Sequence, residues 1–285
     1  MPTEIAQATL CGPCAFDGVG LHTGAGCAIE VRPAGIDAGI TFVLDGHLRV
    51  PALAEYIVDT SRATVIGRDG VSVSTVEHLL SALFAMGVSN ADIHVRGPEI
   101  PVLDGSGRPF VEAIECAGIL EQARARPLLV ITQPLVVARG EQLVIALPSE
   151  RFRVRFVADF PAPIGVQFFD GEIAAQEYAR QIAPARTFGY LHEVEALRTR
   201  GLALGGSLEN ALVFTQDGPM QPLRWQNEVV RHKVLDLLGD LSLLGLWPLA
   251  EIVAIKSGHE LHARAVRALR QRFLADLAPG SHVRG

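Results

Sequence analysis

Residues 229–245, VVRHKVLDLLGDLSLLG, set side chains that can bind a metal or move a proton into an otherwise apolar helical pattern. At about 100° per residue, His232, Asp236, Gly239 and Asp240 share one narrow stripe with Lys233 at its edge. Val234, Leu235, Leu237, Leu238 and Leu241 cover the rest. A helix apolar on so many sides is expected to be buried, and the polar stripe with it. Burying an imidazole and two carboxylates is costly unless pairing, hydrogen bonds or a metal compensates. A Lys233–Asp236 pair beside a hydrogen-bonded core histidine is one answer. A metal is the other, and it needs further ligands.

A second helical stretch, STVEHLLSALFAMG (74–87), supplies them. Val76, Leu79, Leu80 and Leu83 form its apolar stripe, while Glu77 and His78 share the remaining surface with Ser81, Ala82 and Ala85. Ser74 and Glu77 also have capping-box spacing, in which the glutamate reaches back to the start of the helix. His78, His232 and Asp236 together make three N/O ligands with one position open, the pattern of a catalytic zinc site. Zinc lowers the pKa of water to about 7, and Glu77, adjacent to a ligand, is then a general base. A hydrolase follows. In KSGHELH, His259 follows a Ser-Gly turn at a strand end and is a candidate general acid, kept protonated by Asp240 one turn beyond Asp236.

These residues must be positioned by elements that read as strands followed by helices, twice over. CAIEVRPA, GITFVL and ADIHVRG are strand-like, and RPFVEAIECAGI is a helix ending near Gly118. LEQARARP (120–127) is charged, ends in proline and reads as a linker. The pattern then restarts with PLLVITQPLVVA, EQLVIALPS and FRVRFVADF, helices near 173–182, 189–200 and 227–245, and the strand EIVAIKSG. The expected fold class is α+β, with a first domain at 1–122, a second at 127–275 and a frayed tail at 276–285. No sequence repeat relates the two.

Composition removes several classes. The 285-residue chain is 49% hydrophobic and 20% charged, with no apolar run of membrane-spanning length. A net charge of −6 argues against a nucleic-acid surface. MPTEIAQATL has neither the basic start nor the apolar run of a secretory signal, so a cytoplasmic location is expected. Cys11 and Cys14 spell CGPC, the spacing of thiol redox pairs, yet Pro13 and a glycine-rich stretch stand where such a motif needs a helix.

TVEHLLSAL, GPEIPVLDGSG, ARTFGYL, GLALGGSLENALV, VRHKVLDLLGDLSLLG and KSGH, in this order, resemble the zinc-dependent UDP-3-O-acyl-N-acetylglucosamine deacetylases, which catalyse the committed step of lipid A biosynthesis. The similarity runs from GVGLHTG to about residue 270. It implies two βααβ-type domains, with helices sandwiched between two sheets and the active site at the domain junction. It also implies Zn2+ on His78, His232 and Asp236, Glu77 as base, and His259 as acid oriented by Asp240. Thr187 and Lys233 would stabilise the oxyanion. An acyl passage in the second domain would be lined by Phe188, Val194, Ala203 and Gly206. Lys256 and His22 resemble groups that meet the diphosphate and sugar, Phe160 the aromatic that stacks on uracil, and Glu193 a sugar contact. Ferrous iron suits the same ligands. The expected partner is an acylated UDP-amino sugar, with transient contact at the inner-membrane surface.

The chain departs from the family pattern in places. TLCGPCAFD replaces a basic opening stretch, DFPAPIG lacks a usual histidine, and Ser61 and Arg62 in VDTSRATVI replace apolar residues near the mouth of the site. These changes leave open a divergent relative acting on another acylated amino-sugar nucleotide. A non-catalytic zinc protein is disfavoured because Glu77 and His259 are both present.

Overall fold

The computed structural model describes residues 5–274; the tail expected at 276–285 lies outside them. In the first half the chain forms β1 (Ala6–Leu10), β2 (Cys14–Val19), β3 (Gly26–Pro33), β4 (Ile40–Leu44), β5 (Leu48–Pro51), β6 (Ile57–Asp59), β7 (Val65–Arg68), β8 (Val71–Val73), α1 (Glu77–Ala85), β9 (Ala91–Arg96), α2 (Arg108–Ala117) and β10 (Ile119–Ala125). The second half forms β11 (Leu128–Val130), β12 (Leu135–Arg139), β13 (Gln142–Pro148), β14 (Arg153–Asp159), β15 (Val166–Glu172), α3 (Ala175–Gln181), β16 (Phe188–Tyr190), α4 (Leu191–Thr199), β17 (Leu212–Thr215), β18 (Gly218–Pro219), α5 (Glu228–Ser242), β19 (Trp247–Ile255) and α6 (His259–Leu274).

Alternation makes the sheets two-faced. Cys27, Ile29 and Val31 of β3 and Val154, Phe156 and Ala158 of β14 point into the core, with more exposed residues between them. The first sheet has strand order β2-β3-β9-β4-β5, and the second β12-β13-β19-β14-β15, with β11 added parallel to β19. In both, the central strand runs antiparallel to the first hairpin and parallel to the second. A helix precedes each central strand (α1, α5) and another follows it (α2, α6). The two halves therefore repeat one path, although their sequences show no repeat. What they share is the burial pattern, which many apolar residues satisfy.

The helices lie between the sheets. Helix α1 packs on α2 and α5, α5 on α6, β14 and β15, α6 on β12 and β13, and α2 on β2. One apolar core runs from Val31, Phe42 and Ile93 through Leu79, Leu83, Leu235 and Leu238 to Val144, Phe156 and Ile252. This is the α+β architecture expected from the sequence.

The approach of α1 to α5 depends on Gly239. A Cβ there would stand 2.2 Å from the Glu77 carbonyl oxygen and 2.7 Å from its Cα, so the two backbones touch where the polar stripe begins. Alanine favours an isolated helix by roughly 1 kcal/mol over glycine, but forcing a methyl into packed backbone costs about 1–3 kcal/mol. Gly239→Ala is expected to lower the thermal unfolding midpoint and to reduce turnover by displacing Glu77. An unchanged midpoint and rate would refute the close contact.

Three local expectations need correction. The stretch 120–127 is not a linker: most of it belongs to β10, which pairs antiparallel with β1. The 74–87 helix starts at Glu77, and no side chain caps it. Ser74 is not its cap, because Thr75 takes a left-handed φ of 59° and turns the chain first. His259 is not on a loop but opens α6, an element the sequence reading left out. CGPC bridges β1 and β2, with Cys14 entering a strand and its thiol pushed up to about 11 by burial, the opposite of a redox thiolate.

Candidate active site

Helix α5 presents His232 and Asp236 one turn apart, and α1 presents His78 against them. The His78 and His232 rings stand edge to face with centroids 5.0 Å apart. Their Nε2 atoms lie 3.8 and 3.5 Å from Asp236 Oδ1. Zinc bonds of about 2.0–2.1 Å at tetrahedral angles separate ligand atoms by about 3.3 Å, so one ion would draw these three donors together only slightly. Protonation suits a ligand set. His232 Nδ1 donates to the Ala185 carbonyl at 3.0 Å, which leaves the Nε2 lone pair free. Burial, then the neighbouring His232, lowers His78 to about 3, and burial lowers His232 as well, so both are neutral. Burial alone would raise Asp236, but the Lys233 ammonium and the charged His259 imidazole outweigh it and hold the carboxylate far below its usual range.

Beside this cluster lies a connected chain of titratable groups. Glu77 Oε2 accepts the Thr64 backbone N–H at 3.0 Å, and Glu77 Oε1 is 3.7 Å from His259 Nε2. His259 Nδ1 donates to Asp240 Oδ2 at 2.8 Å, and His262 Nδ1 donates to the same oxygen at 2.7 Å. The Thr64 hydroxyl donates to Asp240 Oδ1. Burial raises Glu77 to about 7. Burial would lower His259, but Asp240 and Glu77 outweigh it and raise the imidazole to about 9. Asp240, despite burial, is held down to about 2 by the His259 charge and by hydrogen bonds from His259 and His262. A carboxylate and an imidazolium thus face each other across one short gap.

The inserts between sheet strands and core helices complete the surroundings. Thr187 hangs between two loops, its N–H on the Gly105 carbonyl at 2.7 Å and its carbonyl accepting from Leu212 at 2.8 Å. Gly105 is required there, since a Cβ would stand 1.9 Å from the Asn210 carbonyl oxygen. Glu228, fully buried at the start of α5, accepts from the Arg186 guanidinium and from the Arg186 and Arg224 N–H groups. That clamp fixes the 185–187 segment carrying the His232 acceptor and Thr187. On the other side, buried Glu99 accepts from the His22 and Thr23 N–H groups and from the Thr23 and Thr75 hydroxyls. Sequence reasoning did not single out Thr64, Glu99, Glu228 or His262. Glu99 sits inside GPEIPVLDGSG, Glu228 immediately before VVRHK, His262 at the end of KSGHELH and Thr64 within VDTSRATVI, so motif context was available for all four.

The three-donor cluster and the Glu77–His259 pair open into one cavity of about 1040 Å³. Glu77, His78, His232, Lys233, Asp236, His259 and Thr187 are in its wall, as are His22, Phe160, Phe188, Glu193, Val194, Ala203 and Gly206. Arg62 joins them from the turn after β6. Phe160 stacks edge-on against Phe188, with centroids 5.1 Å apart. Lys233 donates to Asp236 Oδ2 at 2.6 Å, which leaves two of its three N–H bonds for the cavity. Asp240 lies behind the wall, hydrogen-bonded to His259. Lys256 is not in the wall: its ammonium sits 2.7 Å from Asp159 and 3.0 Å from Glu141.

Two imidazoles and a carboxylate around an open position, with an ionisable glutamate beside them, define a metal-dependent hydrolase. The family model described as LpxC: UDP-3-O-acyl N-acetylglycosamine deacetylase matches residues 7–271, and the chain belongs to that family. Curated relatives called UDP-3-O-acyl-N-acetylglucosamine deacetylase include one from Syntrophotalea carbinolica, 46% identical across 93% of this chain and 88% of its own length. The Myxococcus xanthus protein of that name is 45% identical across 93% and 87%, and the Thermosynechococcus vestitus protein 44% across 93% and 94%. Among the described residues no helix is long and apolar enough to cross a membrane.

Proposed function

We propose that the chain hydrolyses the N-acetyl group of UDP-3-O-acyl-N-acetylglucosamine, releasing acetate and a free amine at the committed step of lipid A biosynthesis, with zinc on His78, His232 and Asp236. The observation that carries this is the opening of the three-donor cluster and the Glu77–His259 pair into the same cavity, in a member of the deacetylase family. When bound, the ion supplies Lewis acidity that polarises a carbonyl oxygen and acidifies water. Glu77 takes the proton from the attacking water. Lys233 and Thr187 donate toward the negative charge that develops on the acetamide oxygen. His259 delivers the Nε2 proton to the departing nitrogen, while Asp240 holds Nδ1–H and keeps the ring charged.

The acyl chain is assigned to the Phe188, Val194, Ala203 and Gly206 side of the cavity. Leu191, Leu208 and Met220 also line it, and each is about half exposed at 49–51%. That apolar rim supports transient contact with the inner-membrane surface while a long chain enters. His22, Glu193 and Phe160 are assigned to the nucleotide-sugar end, and Lys256 reaches it only by releasing Asp159 and Glu141. A nucleotide-sugar substrate suits a cytoplasmic enzyme.

The test is acetate release from UDP-3-O-(3-hydroxymyristoyl)-N-acetylglucosamine by zinc-loaded protein, followed by mass spectrometry with and without chelator. Chelator-sensitive release supports the proposal; a folded, metal-loaded sample that releases nothing overturns the substrate. Reloading with ferrous iron instead of zinc compares the two candidate ions.

A bell-shaped pH profile is expected. Activity needs Glu77 ionised, so it rises as pH passes that group's raised pKa, and it needs His259 protonated, so it falls as pH passes that imidazole's raised pKa. A bound cation favours the ionised carboxylate and the neutral imidazole, so both limbs lie lower in the metal-loaded enzyme. The two values belong to the pair. His259→Gln should remove the alkaline limb, and a profile that keeps it would assign the limb elsewhere.

A further inference from the structure

A second cavity, of about 310 Å³, lies at the later turns of α1 and just past α5, and shares no wall residue with the first. Its wall is apolar over Ala52, Leu53, Leu80, Leu83, Phe84 and Leu246, and it opens beside the exposed Ala38, Gly39 and Pro127. Into it faces Arg126, the residue that follows β10.

Arg126 is only 9% exposed. Its guanidinium stacks over the Trp247 ring at 4.7 Å and the Phe84 ring at 5.7 Å. Its backbone N–H is held by the Ile5 carbonyl, but among the described residues no oxygen accepts from its side chain. Burial pulls this guanidinium down to about 10, which still leaves it charged at neutral pH. Cation–π contacts hold the guanidinium against the two rings, and the cavity is the side from which an oxygen acceptor can reach it. The other polar groups of the wall are committed to each other. Asn90 donates to Gln7 and Gln122 and accepts from Gly39, and Gln7 donates to Asp37 and to the Ala125 carbonyl. Asp37, on the exposed rim, is engaged by Gln7 and Arg124 and sets a negative charge near the entrance that disfavours dianions.

An apolar chamber with one planar cation that no acceptor among the described residues shares has a definite chemical complement. We propose that this cavity binds a monocarboxylate with a short apolar tail, the carboxylate on the Arg126 guanidinium and the tail against Leu80, Leu83 and Phe84. Arginine binds carboxylates through two parallel N–H bonds, and the tail displaces water from the apolar wall.

The probe is hexanoate, titrated into the full chain by calorimetry and by thermal unfolding, with hexan-1-ol and acetate as comparisons. Saturable hexanoate binding that raises the unfolding midpoint is expected, at least tenfold tighter than the alcohol or acetate. Arg126→Met should abolish it. Leu53→Trp, which fills the cavity and leaves the arginine intact, should abolish it too and decides the matter if the methionine variant does not fold. Hexanoate binding no tighter than the alcohol, or undiminished in Arg126→Met, overturns the proposal, the latter because the probe would then sit in the larger cavity. Binding seen only in Glu4→Gln also overturns it, since the arginine would then be answered by the chain's own carboxylate.

Discussion

Glu77→Gln is expected to lower turnover by about 10²–10⁴-fold, the usual contribution of a positioned general base, with the metal content unchanged. Glutamine keeps an oxygen to accept the Thr64 N–H that holds Glu77 at 3.0 Å, so the local fold survives. It cannot take a proton. The donors proposed for the ion, His78, His232 and Asp236, are untouched, and α1 still packs on α5 through backbone contact at Gly239. Metal analysis after dialysis and single-turnover rates check the two halves of this expectation. A variant that loses its metal would make Glu77 a ligand, and one that keeps its rate would pass the base role to another group.

Asp236→Ala should be more disruptive. One Asp236 oxygen faces both imidazoles at 3.5 and 3.8 Å, and the other accepts from Lys233 at 2.6 Å. Removing the carboxylate deletes a proposed ligand and strands the Lys233 ammonium, whose side chain is 13% exposed. Breaking a buried pair from one side costs about 3–5 kcal/mol. The expected result is metal lost on dialysis, turnover at background and a clearly lower unfolding midpoint. Asp236→Asn, which retains an oxygen toward the histidines, should recover part of the stability and little of the rate. Stoichiometric metal in the alanine variant after dialysis would remove Asp236 from the ligand set.

Periodicity made much of this legible. His232, Asp236 and Asp240 stand out because polar residues at one-turn spacing interrupt a helix that is otherwise apolar, and burial of that helix forces them to be compensated. Glu77 and His78 were visible as partners for the same reason. The misreadings came where distant contacts override local pattern. Six of the seven residues of β10 are exposed and the seventh, Gln122, is only half-buried, so no alternation marks it, and only pairing with β1 makes it a strand. Ser74 and Glu77 have capping spacing, yet the glutamate's partner is Thr64, delivered by the β6–β8 insert. Helix α6 carries its periodicity in Leu261, Ala265, Val266 and Leu269, diluted by the charged residues between them. The roles of Glu99 and Glu228 were hidden because both bind backbone N–H groups of loops, and backbone groups leave no mark in a sequence.

The repeated strand path has a thermodynamic consequence. His78 comes from one half of the chain and His232 with Asp236 from the other, so an ion that needs all three binds only when both halves are folded and docked. Binding free energy then becomes cohesion between them, growing with free metal as RT ln(1 + [L]/Kd). Metal supply would thus set how firmly the two sheets stay joined, and scarcity would loosen the seam through α1 and α5 before either sheet unravels.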